Sequence, residues 1–120
     1  MAEKLSIPSE ARTLEEKYKI LAPQIKSLIE DENDLIANMA NVASVLKFGF
    51  GHLWVGFYIV KDKQLVLGPY QGPVACTRIS FGKGVCGKAW QEQSSVMVPD
   101  VNLFPGHISC SADSKSEIVI

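Results

Sequence analysis

The sequence predicts an α+β domain with a mainly antiparallel sheet and its helices on one face. Three observations predict it. Apolar residues recur at helical spacing through roughly the first third of the chain, and from Leu53 the apolar period changes to two. A short polar turn, Lys61-Asp62-Lys63-Gln64, then joins two such period-two stretches as a hairpin. With 120 residues, 47% apolar and 21% charged, the chain has the length and composition of a single folded domain, taken here as residues 1–120.

Each element follows from local chemistry. Thr13 followed by Glu16 is a capping box, which satisfies backbone donors at a helix start. Leu14, Tyr18, Leu21, Ile25 and Leu28 then form one stripe, with a kink expected at Pro23. Asp31 to Asp34 is polar punctuation. A second helix carries Leu35, Ile36, Met39, Ala40, Ala43 and Leu46 on one stripe and ends at Gly49 and Gly51. The first strand spans Leu53 to Val60, the second Leu65 to Gly68, and a third runs around Ala75 to Ser80, after Gly68-Pro69 and Gly72-Pro73 have punctuated a loop. Gly82-Lys83-Gly84 opens a helix over Val85 to Gln93. A short strand at Ser95 to Val98, a polar loop from Pro99 to Ser114 and a strand at Glu117 to Ile120 complete the order ααβββαβ(loop)β. That last strand runs out without a turn or polar tail, so further residues beyond 120, with part of the sheet and part of the site, are expected.

Composition excludes several functions. Twelve basic and thirteen acidic residues leave a net charge of −1, which provides no basic footprint for nucleic acid or an anionic membrane. The longest largely apolar stretch, Leu53 to Val60, is too short to span a bilayer. The N-terminal segment has no apolar run of the secretory type, and a cytoplasmic location is expected. Three cysteines without a CxxC pair argue against both a disulfide framework and a metal site, even though His107 lies three residues before Cys110.

Four features carry possible chemistry. Gly82-Lys83-Gly84-Val85-Cys86-Gly87 matches G-x-G-x-x-G, but a hairpin precedes it and the helix after it is short; tight turning with close helix–sheet packing fits this context better than a dinucleotide site. The thiols form the second feature. Cys86 on the first turn of a helix is either a buried small hydrophobe or a thiol whose pKa the helix N-terminus lowers. Cys110 lies among small polar residues, and Cys76 in a loop-flanked stretch, so accessible thiols able to run an oxidation and disulfide cycle are at hand. Third, Trp54 and Tyr58 fall on one strand face with Gly56 between them, which is either a slot for a methyl-bearing group or simple packing. Fourth, Glu117 interrupts an apolar strand, where it either binds an amino group or faces solvent.

The runs Gly51-His52-Leu53-Trp54-Val55-Gly56-Phe57-Tyr58, Leu67-Gly68-Pro69-Tyr70-Gln71-Gly72, Gly84-Val85-Cys86-Gly87, Gly106-His107-Ile108-Ser109-Cys110 and Ser116-Glu117-Ile118-Val119 together resemble the free methionine-(R)-sulfoxide reductases, which are GAF-domain enzymes. The resemblance runs from about Leu35 to the last residue and includes all three cysteines. It implies a GAF fold with terminal helices on one sheet face and ligand-pocket loops on the other. It further implies reduction of the R epimer of free methionine sulfoxide, a homodimer, and recycling by thioredoxin without a metal or other cofactor. By the same resemblance Cys110 is the nucleophile, Cys76 the main resolving thiol and Cys86 a second resolving thiol. Trp54 and Tyr58 enclose the S-methyl group, Glu117 holds the polar end of the substrate, and the amides around Ile108, Ser109 and Cys110 face the sulfoxide oxygen. Family members continue through further strands whose acidic residues help to bind the substrate's amino group. A non-catalytic GAF module that binds a regulatory ligand, and a thiol redox sensor, are the alternatives.

Overall fold

The computed structural model describes residues 5–6, 12–106 and 113–120. Its element order is α1 (Leu14–Glu30), α2 (Leu35–Phe50), β1 (Val55–Lys61), β2 (Gln64–Gln71), β3 (Arg78–Ser80), α3 (Gly84–Glu92), β4 (Val96–Val98), a 3-10 turn at Val101–Leu103, and β5 (Glu117–Val119). The described residues fall into two compact units. One runs up to Phe57 and adds Pro69–Gly72; the other comprises Tyr58–Gly68 and continues from Pro73.

In the first unit the cap expected at Thr13 forms, and Asp34, read in the sequence only as polar punctuation, caps the second helix. Thr13 Oγ1 accepts the Glu16 amide at 3.2 Å, and Asp34 Oδ1 accepts the Ala37 amide at 2.8 Å. The helix α1 continues through Pro23, and the Gln24 side chain donates to the Ile20 carbonyl in the turn that contains it. Leu21 is the anchor, 1% exposed, and Gly49 leaves it room: a Cβ there would collide with Leu21 Cδ1. The apolar stripes are buried only in part. Leu14, Tyr18, Leu35 and Ile36 stay exposed, whereas Ala43, Val45 and Gly49 are buried. Gly51 ends α2 in the left-handed conformation at φ +71°, donating its amide to the Lys47 carbonyl.

The β1–β2 hairpin turns at Asp62 and Lys63, both at positive φ, which gives the strand-matching twist of a two-residue loop. One sheet has the order β1-β2-β3, and β4 and β5 form a separate antiparallel pair. Within the second unit β2 and β3 are antiparallel with Leu65 opposite Ile79, both buried. Val85 of α3, Val98 and Val101 form a buried cluster, with Val96, Phe104 and Val119 packed against them. This α+β architecture with antiparallel pairing is the predicted class. The second strand is longer than predicted, continuing through Gly68-Pro69 to Gln71. Pro69 is tolerated because β3 pairs with β2 only at Gln64–Val66, so its missing N–H costs no bond on that side. The third strand is shorter than predicted and leaves Cys76 in the loop ahead of it.

Candidate active site

Two of the candidate thiols, Cys76 and Cys86, lie in the second unit. Cys76 is half-buried, and its backbone carbonyl accepts a 2.6 Å hydrogen bond from Tyr58 Oη on β1. This anchors the loop that carries the thiol to the strand. Cys76 is disulfide-bonded, whereas Cys86 is a free thiol.

Cys86 occupies the first turn of α3, and its Sγ donates to Glu117 Oε1 on β5 at 3.8 Å. Both partners are half-buried. Burial first, and then the Glu117 carboxylate, push the thiol up from its ordinary 9.0 to about 12. The lowered pKa that a helix N-terminus could give Cys86 is thus overridden, and the half-buried thiol keeps its proton. Glu117 therefore faces neither bulk solvent nor an apolar strand neighbour alone. It lies opposite Val98 in the β4–β5 ladder and takes the thiol as a donor.

In the first unit, Trp54 precedes β1 instead of lying on it, and its ring stacks on Tyr70 at 5.4 Å between centroids and 20° between planes. Gly56 is the floor of this pair: a Cβ there would sit 2.6 Å from Trp54 Cη2 and against Tyr70 Cβ. Tyr70 is an aromatic partner that sequence reasoning did not single out. The signal was present, since Val66, Gly68 and Tyr70 keep the strand period, but Gly68-Pro69 read as a loop.

The Gly82–Gly87 loop is a packing device. Gly82 and Gly84 take φ of +73° and +61°, and the Gly82 amide donates to the Gly87 carbonyl at 3.1 Å. A Cβ at Gly87 would meet the Ser80 carbonyl oxygen at 2.8 Å and Gly82 backbone atoms at 3.0 and 3.1 Å. Close approach of the helix to its preceding turn thus requires the glycine. A cavity of about 300 Å³ borders this loop, with Lys83, Lys88 and Phe104 among its walls, and one of about 420 Å³ lies along α1 and α2 beside Pro23, Ser27 and Ser44; neither includes Cys76, Cys86 or Glu117. Ile108, Ser109 and Cys110, with His107, lie outside the described residues. Among the described residues, no group of three or more His, Cys, Asp or Glu could hold a metal ion, and no helix is long and apolar enough to cross a membrane.

No family model matches the chain. Individual proteins do. "GAF domain-containing protein A" of Dictyostelium discoideum is 55% identical over all of this chain and 75% of its own length. The X-ray structure of the free methionine-R-sulfoxide reductase of Neisseria meningitidis, solved with its substrate, superposes with a TM-score of 0.89 at 50% identity, over 94% of this chain and 69% of that one. The chain belongs to the free methionine-(R)-sulfoxide reductase family. These are oxidoreductases on a GAF fold, and the Staphylococcus aureus member (fRMsr, reduced form) also matches, with a TM-score of 0.81 at 43% identity over 93% of this chain and 71% of that one. Membership in the family directs attention to the thiols, here the half-buried Cys76 and Cys86.

Proposed function

We propose that the chain reduces free L-methionine (R)-S-oxide to L-methionine with its own thiols and is recycled by a thioredoxin-type dithiol. One observation carries the reading: half of its residues are identical, over 94% of its length, to a reductase solved with that substrate. The thiol states support it, because a disulfide-bonded Cys76 fits a cycle in which Cys76 alternates between thiol and disulfide while Cys86 stays free.

In this reading the Cys110 thiolate attacks the sulfoxide sulfur while amides at Ile108 to Cys110 and a proton donor stabilise the oxygen. The oxygen passes to Cys110 as a sulfenic acid, and methionine leaves. The Cys76 thiolate then attacks the sulfenic sulfur, water departs with the oxygen, and a Cys76–Cys110 disulfide remains for an external dithiol to reduce. Two thiols are oxidised for each sulfoxide reduced, and the balance calls for no metal or organic cofactor. Cys86 stands behind Cys76 as a slow second resolving thiol, since a thiol held near pKa 12 is almost wholly protonated at neutral pH.

The Trp54 ring, stacked on Tyr70, and the Tyr58 ring take the S-methyl group, and Glu117 takes the ammonium group. A peptide-bound sulfoxide lacks that charge and would leave the half-buried acid uncompensated, which makes the free amino acid the substrate. The 120 residues belong to one GAF domain, and the exposed Tyr18, Leu35 and Phe48 of the helical unit suit a homodimer. A reducing compartment, the cytoplasm, supplies the dithiol.

The test is turnover of the R and S epimers of free methionine sulfoxide with a thioredoxin system, followed by NADPH loss. Turnover of the R epimer alone, abolished in Cys110→Ser, is expected. Full activity in Cys110→Ser would overturn the nucleophile assignment; tight binding without turnover would replace the enzyme with a regulatory module, and disulfide formation with peroxide alone would make it a sensor.

A further inference from the structure

The Cys86–Glu117 contact joins two groups whose backbones are both fixed. Val85, 2% exposed, buries the first turn of α3 in the cluster it shares with Val98, and Gly87 seats that turn against the Ser80 and Gly82 backbone. On the other side Glu117 is in register with Val98 across the β4–β5 ladder. The side chains therefore meet because a packed helix and a paired strand present them to each other, not because two mobile groups happened to approach.

An ionised carboxylate only accepts hydrogen bonds, so in this contact the thiol is the donor. A carboxylate drawn partly out of water needs such donors. A thiol that gives its proton to this contact is not available as an attacking thiolate, and the high thiol pKa agrees with that assignment.

We infer that Cys86 is a positioning residue: its S–H fixes Glu117 Oε1, and with it the orientation of the carboxylate that receives the ammonium group of the substrate. This rests on the substrate reading proposed above and deepens it, because it assigns Cys86 its principal work as a thiol and leaves disulfide resolution to Cys76.

Full-chain wild type, Cys86→Ala, Cys86→Ser and Glu117→Gln separate the roles. With free methionine-(R)-sulfoxide and a thioredoxin system, Cys86→Ala raises KM about 3- to 10-fold, the range for losing a weak donor to a charged acceptor, and changes KM more than kcat. Cys86→Ser, which keeps a donor but not a sulfur, recovers most of that loss. A kcat defect in Cys86→Ala at unchanged KM, no change in either constant, or a Cys86→Ser variant as impaired as Cys86→Ala would overturn the inference. A measurement independent of turnover is iodoacetamide labelling of Cys86 at one fixed pH, read by mass spectrometry. Glu117→Gln removes the charge that holds the proton on sulfur, so Cys86 labels faster than in wild type; equal rates would refute the pairing even if the Cys86 variants failed to fold. Absence of wild-type turnover would instead remove the substrate reading, whatever the labelling result.

Discussion

Gly56→Ala is the sharpest test of how the aromatic pair is built. The added Cβ would lie 2.6 Å from Trp54 Cη2 and 2.9 Å from Cζ2, and it would overlap Tyr70 Cβ. Carbon pairs settle at about 3.5–4.0 Å, so the indole must move by about 0.9 Å or more. Overpacking of this kind costs about 1–3 kcal/mol, and loss of a good aromatic stack adds about 0.5–1.5 kcal/mol. Removing a strand glycine returns about 0.5–1 kcal/mol through the unfolded chain. The net loss is about 1–3 kcal/mol, or a fall in Tm of roughly 4–12 °C for a chain of this length. Thermal unfolding under constant reducing conditions measures it, and the KM for the sulfoxide should rise because the displaced ring walls the proposed methyl slot. The comparison is Gly51→Ala, where nothing lies within 4 Å of the new Cβ and only the left-handed φ of +71° is unfavourable. That change should cost about 1 kcal/mol and leave KM alone. A Gly56→Ala protein with wild-type Tm and KM would refute the account of the stack.

Other consequences follow from individual contacts. Tyr58→Phe keeps the ring but removes the donor to the Cys76 carbonyl, so the Cys76 loop loosens; stopped-flow or quench measurements should show disulfide formation slowed about 3- to 10-fold, with substrate affinity affected less. Gly87→Ala meets only backbone atoms, so the clash outweighs the helix propensity gained, and urea melts should show a loss of about 1–2 kcal/mol. Raised in the folded state by burial and by the Glu117 carboxylate, the Cys86 pKa makes the native protein hold that proton more tightly than the unfolded chain does. The stability gained is complete below pH 9, the unfolded value, and is lost as pH climbs from 9 towards 12, so urea melts between pH 8 and 10.5 should decline more steeply in wild type than in Cys86→Ser.

The parts of the fold visible in the sequence are those determined by neighbours along the chain. Thr13 and Glu16 are three residues apart, and the Asp62-Lys63 turn needs only its own backbone angles and the flanking strands. The strand ends were less visible, because Pro69 is permitted or forbidden by which side of β2 carries a partner, and that is set by where β3 stops. The same holds at the site. Residue type and strand period single out Trp54, Tyr58 and Glu117 as candidates, but Tyr70 is hidden by the punctuation beside it, and the partners of Tyr58 and Glu117 lie 18 and 31 residues away. Sequence pattern identifies groups capable of chemistry; the donor each one meets is a property of tertiary register.

Cys86 shows how magnitudes decide such a case. A helix N-terminus contributes about 0.3–1 kcal/mol in favour of a thiolate, less than one pKa unit. Desolvation of a buried group works the other way by up to about 3–5 units, and a carboxylate at 3.8 Å adds to it with the same sign. The helix end is audible in the sequence because Gly84-Val85-Cys86 stand together, while the stronger opposing effects come from packing against β5, far along the chain. A cysteine on the first helical turn is thus activated only where that turn is open to water or faces a cation. In this protein it faces an acid, so the reactive sulfur of the proposed cycle has to be sought among the other two thiols, and Cys86 is left to do what a protonated thiol can do, which is to donate.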